Sequence, residues 1–186
     1  MNWLKVNKDE FEKVQSINPK KGIYLINLSP RPYSPIENEE EGVDTQVFSI
    51  KVSKMPNTVE LKQLLLDLQA AYDKGEEVNT FNLGEQKCWL DKETRVGLIN
   101  SITIQKDSGV EVTTLWLNGE PYKVSVDYAL EFLRGLELYA VDCYNVTQSH
   151  IAEIKAISGR EGLFEYDVTK GYPEVLSFNM EEVIEI

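Results

Sequence analysis

The stretch VDYALEFLRGLELYAVDCYNVTQSHIAEIKAI, residues 126–157, decides how this chain folds. It contains no proline, and its only glycine is Gly135. Ala129, Leu133, Leu136, Ala140, Cys143, Thr147, His150, Ile154 and Ile157 recur in alternating steps of four and three. That is a seam of period 3.5, the pattern of a helix packed along another helix. Phe132, Tyr139, Val146 and Ile151 widen it, and Ser158-Gly159 supplies the stop. One continuous helix of this length spans roughly 45–50 Å. The alternative is a break at Asn145-Val146-Thr147, because Asn and Thr are poor helix-interior residues and good caps.

The same stretch holds the only histidine and one of two cysteines, with Asn145 between them. Cys, His and Asn are the ingredients of a thiol nucleophile site. Cys143 and His150 are seven residues apart, which on a continuous helix is about 10.5 Å of rise. A base must stand within about 3 Å of its nucleophile. Metal ligands on one helix face are spaced three or four apart. Neither requirement is met, so the expected catalytic, metal and cofactor residues are none. Cys143, Thr147 and His150 instead read as a polar layer in an apolar seam, a device that fixes helix register or oligomer state.

Outward from this helix, the order of elements predicts an α+β fold. "VEVTTLWLNGEPYKVSV", residues 110–126, is a hairpin around Asn118-Gly119, the type I′ turn signal. Trp116 and Tyr122 flank the turn, and we expect them to pair across it. Before it, Asp91 caps a helix running to Gly109, with Arg95 one turn on and able to pair with Asp91. Residues 80–90 form a small hairpin turning at Gly84. "TVELKQLLLDLQAAYDKG", residues 58–75, is a helix capped by Asn57 with Glu60 in the capping-box position. Its apolar stripe is Leu61, Leu64, Leu65, Leu68 and Tyr72. Trp3 to Val6, residues 22–28 and residues 45–53 read as strands. "NKDEFEKVQS", residues 7–16, reads as a short helix with Asn7 as N-cap and Glu10 in the box. Residues 29–42, with three prolines and four glutamates, read as a mobile loop without the Asp/Asn ladder of a calcium site. At the end, "YDVTKGYPEVLSF" reads as a turn and a closing strand with Leu176 and Phe178 inward. A linker near residue 78 divides an N-terminal α/β segment, 1–78, from a C-terminal α+β domain, 79–186.

The chain of 186 residues carries 19 basic and 31 acidic residues, a net charge of −12. Such a field repels phosphate backbones, so nucleic acid is not an expected partner. No apolar run approaches the length of a membrane span, and the first residues do not read as a signal peptide. Two cysteines are too few for a disulfide framework. Synthesis in the cytoplasm, without membrane insertion, is the expectation.

Four blocks carry a resemblance: "WLDKETR", "TLWLNGEPYKVSVDYAL", "LELYAVDCYNVTQSHIAEI" and "YDVTKGYPEVLSF". In that order they resemble a family of phage and prophage domains of undefined activity, found beside tail-fibre and tail-tip genes. The resemblance covers roughly residues 80–180, a little over half the chain. It implies a non-enzymatic structural or assembly role, protein partners that include tail components or further copies of the chain, and virion association. It implies no catalytic residues; Trp89, Tyr139, His150, Tyr166, Gly171 and Pro173 fall inside the blocks as fold-defining positions. Two other function classes stand beside it. A cell-wall hydrolase would need paired carboxylates, and among 31 acids some pair always lies at a suitable distance, so their number carries no signal for it. An acidic inhibitor of a host protein is the third class, and the net charge of −12 is what suggests it.

Overall fold

A computed structural model describes residues 3–9, 11–34 and 42–178. The fold is α+β: helices with small, mostly antiparallel sheets and one helix of 31 residues. By contact the chain divides into two compact units, Met1–Asp73 with Val146–Gly171, and Lys74–Asn145 with Tyr172–Ile186.

The first unit is built on a four-stranded antiparallel sheet. Its strands are β1 (Trp3–Val6), β2 (Val14–Asn18), β3 (Ile23–Pro32) and β4 (Thr45–Val52), in the order β1-β4-β3-β2. The alternation in β4 buries Thr45, Val47 and Ser49 and leaves Phe48, Ile50 and Val52 half-buried. The mixed face is therefore the inner one. It is tolerable because Ser49 Oγ donates to Asn27 Oδ1, and Asn27 Nδ2 donates to the Glu12 carbonyl at 2.7 Å. α1 (Thr58–Asp73) buries Leu61, Leu65, Leu68, Gln69 and Tyr72. Its start is the reciprocal capping box read from the sequence: Glu60 N–H donates to Asn57 Oδ1 and Asn57 N–H to Glu60 Oε2, both at 2.9 Å.

Two N-terminal expectations are corrected. The described residues among 7–16 do not form a helix. Asn7 Oδ1 accepts the Asp9 N–H at 2.9 Å, a local turn, and Val14–Asn18 pairs with β3 as β2. Strand pairing overrides a capping signal that had no apolar periodicity behind it; Glu10 lies outside the described residues. The expected loop at 29–42 begins later, because β3 runs on to Pro32 through a register shift between Leu28 and Arg31. Ser29 has a φ of 52° there, and its hydroxyl accepts the Val168 N–H at 3.0 Å. Residues 35–41 lie outside the described residues.

The second unit holds the largest apolar cluster. β5 (Phe81–Leu83) and β6 (Gln86–Cys88) form the expected hairpin, and β9 (Ser177–Phe178) pairs parallel to β5. α2 (Lys92–Asp107) follows, with Asp91 as N-cap. β7 (Val112–Leu117) and β8 (Glu120–Ser125) turn at Asn118 and Gly119, with φ of 51° and 84° as a type I′ turn requires. A two-residue turn sets Leu115 opposite Tyr122 and Trp116 opposite Pro121. Tyr122 is buried and Trp116 is 63% exposed, so the expected Trp116–Tyr122 pair does not form: strand parity puts them on opposite faces. Phe81, Phe132 and Phe178 meet edge to face, with centroids 4.5 to 5.8 Å apart.

α3 (Val126–Ala156) is one unbroken helix, so Asn145 and Thr147 do not interrupt it. Its residues up to Asn145 count with the second unit and those from Val146 with the first. Seven of the nine seam positions are buried; Ala140 and Ile157 are half-buried. A short α4 (Arg160–Glu165), unread in the sequence, follows after Gly159.

Candidate functional site

The structure places Cys143, Thr147 and His150 on the buried side of α3, at 4%, 4% and 7% exposure. Cys143 is a free thiol. Thr147 Oγ1 donates to Asp73 Oδ1, at the end of α1, at 2.6 Å. His150 Nε2 lies 2.8 Å from the Lys170 carbonyl oxygen, and Nδ1 lies 2.6 Å from the Tyr166 phenol oxygen. Tyr166 in turn lies 2.7 Å from Glu153 Oε2.

A carbonyl oxygen only accepts, so Nε2 of His150 carries a hydrogen. The Tyr166 hydroxyl stands between His150 Nδ1 and Glu153 Oε2 and links the three side chains in one hydrogen-bonded chain. The layer fixes the end of α3 to the segment 166–170 within the first unit.

Arg95 is the buried cation that sequence reasoning misplaced. It is 4% exposed, and its partner is Glu137 on α3, not Asp91. Nε donates to Glu137 Oε2 at 2.8 Å and Nη1 to the Leu90 carbonyl at 2.5 Å. Asp91 instead spends its carboxylate on the Thr94 N–H and hydroxyl, at 2.9 and 2.8 Å. Arg95 also lies over the Trp89 ring, which meets Tyr139 edge to face. Tyr139 donates to the Val78 carbonyl at 3.0 Å, and Val78 itself is buried.

The first unit also carries a cleft of about 600 Å³ that no sequence pattern announces. Phe11, Pro30 and Pro32 are its apolar lining. Lys8, Lys13 and Arg31 bring cations, and Asp44 and Glu165 bring carboxylates. Lys13 is neutralised: its ammonium pairs with Glu161 and, at 2.9 Å, with Glu165. Those side-chain hydrogen bonds raise the Lys13 pKa, Glu161 first, and the bond from Lys13 lowers that of Glu165. Asp44 accepts the Lys8 backbone N–H at 2.8 Å and the Thr45 hydroxyl at 2.9 Å. These bonds hold its carboxyl below the usual range, the Lys8 N–H most of all.

Arg31 is held differently. Its Nε and Nη2 both donate to the neutral Gln46 Oε1, at 3.0 and 2.8 Å, and its Cζ sits 4.0 Å from the Trp3 ring centroid. Among the described residues, no carboxylate pairs with Arg31 or with the Lys8 ammonium. These positions came together through the β3 bulge, which no residue pattern announces.

Among the described residues, no three His, Cys, Asp or Glu side chains converge as metal ligands, and no helix is long and apolar enough to cross a membrane. No protein-family model, curated protein or solved structure matches the chain.

Proposed function

We propose that this chain is a non-enzymatic structural or assembly module of the phage-tail kind its C-terminal blocks resemble, and that it works by meeting a second copy of itself along α3. The observation that carries this reading is an apolar group on the outer side of that helix. Leu138 is 69% exposed and stands opposite the buried seam; Val141, 46% exposed, and Tyr144, 60% exposed, follow at steps of three and turn from it toward the flank of the seam. Isolated exposed apolar residues are ordinary, but a contiguous group on a rigid element marks a contact surface.

The surface is also self-complementary, as a two-fold contact requires. Arg134 and Asp142 stand four residues to either side of Leu138, both exposed. Neither has an ion-pair partner among the described residues. When two α3 helices lie antiparallel with Leu138 on the axis, each Arg134 faces Asp142 of the second copy. Gly135 lies beside this group, and a Cβ there would meet nothing within 4 Å, so a second helix can approach closely.

Sedimentation of the full chain across a concentration series tests the reading. A dimer that grows with concentration and is lost in Leu138→Lys is the expected result. A wild-type chain that stays monomeric at millimolar concentration overturns it. The tail-associated part is tested by probing purified particles of a phage that encodes the chain; absence of the protein from particles and from assembly intermediates removes it.

A further inference from the structure

We propose that the cleft of the first unit is a binding site for a single carboxylate carried on an apolar body, with Arg31 and Lys8 taking the charge and Phe11, Pro30 and Pro32 the body. This goes beyond self-association and does not depend on it.

The volume comes first. About 600 Å³ lies within the range of pockets that hold small organic ligands. It also suits the last one or two residues of a peptide.

The charge comes next. In a chain of net charge −12, and among the described residues, neither the Arg31 guanidinium nor the Lys8 ammonium forms an ion pair, while Asp44 and Glu165 already accept hydrogen bonds. Arg31 is preorganised for such a role. Gln46 and the Trp3 ring fix the guanidinium without neutralising it. Gln46 takes Nε and one hydrogen of Nη2, so the Nη1–Nη2 edge keeps two parallel N–H groups. That edge matches the two oxygens of a carboxylate. Held by a neutral acceptor and an aromatic face, Arg31 loses little side-chain freedom when a ligand arrives.

Why one negative charge and not two? Among the described residues, the lining holds three cations and two carboxylates, Asp44 and Glu165. A phosphate dianion would meet both carboxylates at close range, whereas a carboxylate balances the single excess cation. The apolar lining asks for the rest of the ligand. Pro30 and Pro32 have no N–H, which removes two backbone donors from the end of β3 and disfavours addition of an extended peptide strand. Prolines and Phe11 present flat apolar surface instead. The ligand is therefore a compact group, such as an apolar C-terminal residue or a free aryl acid.

Titration calorimetry at low salt, with the whole chain, tests this using four probes: N-acetylphenylalanine, its uncharged amide, 3-phenylpropionate and phenyl phosphate. Saturable binding of N-acetylphenylalanine, about tenfold tighter than its amide, is expected, because one charge-assisted pair is worth about a factor of ten or more. Comparable binding of 3-phenylpropionate assigns a free acid as well as a C-terminus; binding only of the acetylated residue assigns the C-terminus. Arg31→Gln should weaken binding about tenfold. Because that change also disturbs Gln46 and Trp3, Lys8→Gln on the exposed rim is the second variant, expected to weaken it a few-fold. Equal affinity for acid and amide, no saturation by either acid, tighter binding of phenyl phosphate, or wild-type affinity in both variants each overturns the proposal.

Discussion

Nδ1 of His150 lies 2.6 Å from the phenol oxygen of Tyr166, and this contact decides what the only histidine does. With Nε2 on the Lys170 carbonyl, both ring nitrogens are engaged by the chain itself. A general base needs one nitrogen turned toward a substrate, and a metal ligand needs one lone pair.

Tyr166→Phe tests the weight of that contact. The ring stays and the hydroxyl goes, leaving His150 Nδ1 without its phenol partner near the end of α3. A loss of about 1–3 kcal/mol in unfolding free energy is expected. Nitrogen NMR of His150 should show Nε2 protonated in both proteins. A variant as stable as wild type, or a spectrum with hydrogen on Nδ1 alone, would contradict the assignment.

Acid should destabilise the chain through its caps. Hydrogen bonds hold the Asp91 carboxyl below its usual range, the Thr94 backbone N–H most of all. Glu60 is lowered first by Lys54 and then by the Asn57 N–H, and Glu165 by Lys13. A carboxyl whose pKa is lower in the folded state stabilises above its unfolded value. That contribution disappears as pH falls through the folded value. The loss should fall between about pH 5 and pH 3. Asp91→Asn keeps a capping oxygen that cannot titrate. Its urea midpoint should fall less steeply over that window than the wild-type midpoint; parallel curves would count against the cap.

Much of this fold was legible because local signals agreed with the packing. The capping box at Asn57, the Asp91 cap, the Asn118-Gly119 turn and the 3.5-residue seam of α3 each state their structure within a few residues. What was not legible depends on distant pairing. Val14–Asn18 is a strand only because β3 lies beside it. Arg95 could have met Asp91 by spacing, yet Asp91 was already spent on Thr94, and burial beside Glu137 decided the matter. The cleft depends on Ser29, whose positive φ lets β3 continue past a bulge, and serine gives little warning of that conformation.

The Arg95–Glu137 pair should respond unevenly to substitution. Arg95 is buried at 4%, while the Glu137 side chain keeps 31% of its exposure. Glu137→Leu strands a buried cation and should cost about 2–3 kcal/mol, toward the low side for buried pairs because Glu137 still sees water. Adding Arg95→Met removes the stranded charge, and the double variant should recover most of the loss. Urea unfolding with an unchanged slope reads both. A double variant worse than Glu137→Leu alone would mean that the bond to the Leu90 carbonyl outweighs the ion pair.

The proposed pairing of α3 with a second copy makes a sharper demand than dimerisation itself. With Leu138 on the axis, Arg134→Glu sets two carboxylates against each other at both ends of the contact, and Asp142→Lys sets two cations there. Exposed ion pairs are worth about 0.2–1 kcal/mol each, and reversing two of them should weaken the dimer roughly tenfold. Combining the two substitutions restores opposite charges in the reverse order, so the double variant should dimerise within a few-fold of wild type. Glu and Lys are both good helix formers, which keeps α3 itself intact. Any other register, or a parallel arrangement, leaves Arg134 away from Asp142 and gives no rescue. A double variant no better than the singles would therefore move the contact off Leu138 even if the chain still self-associates.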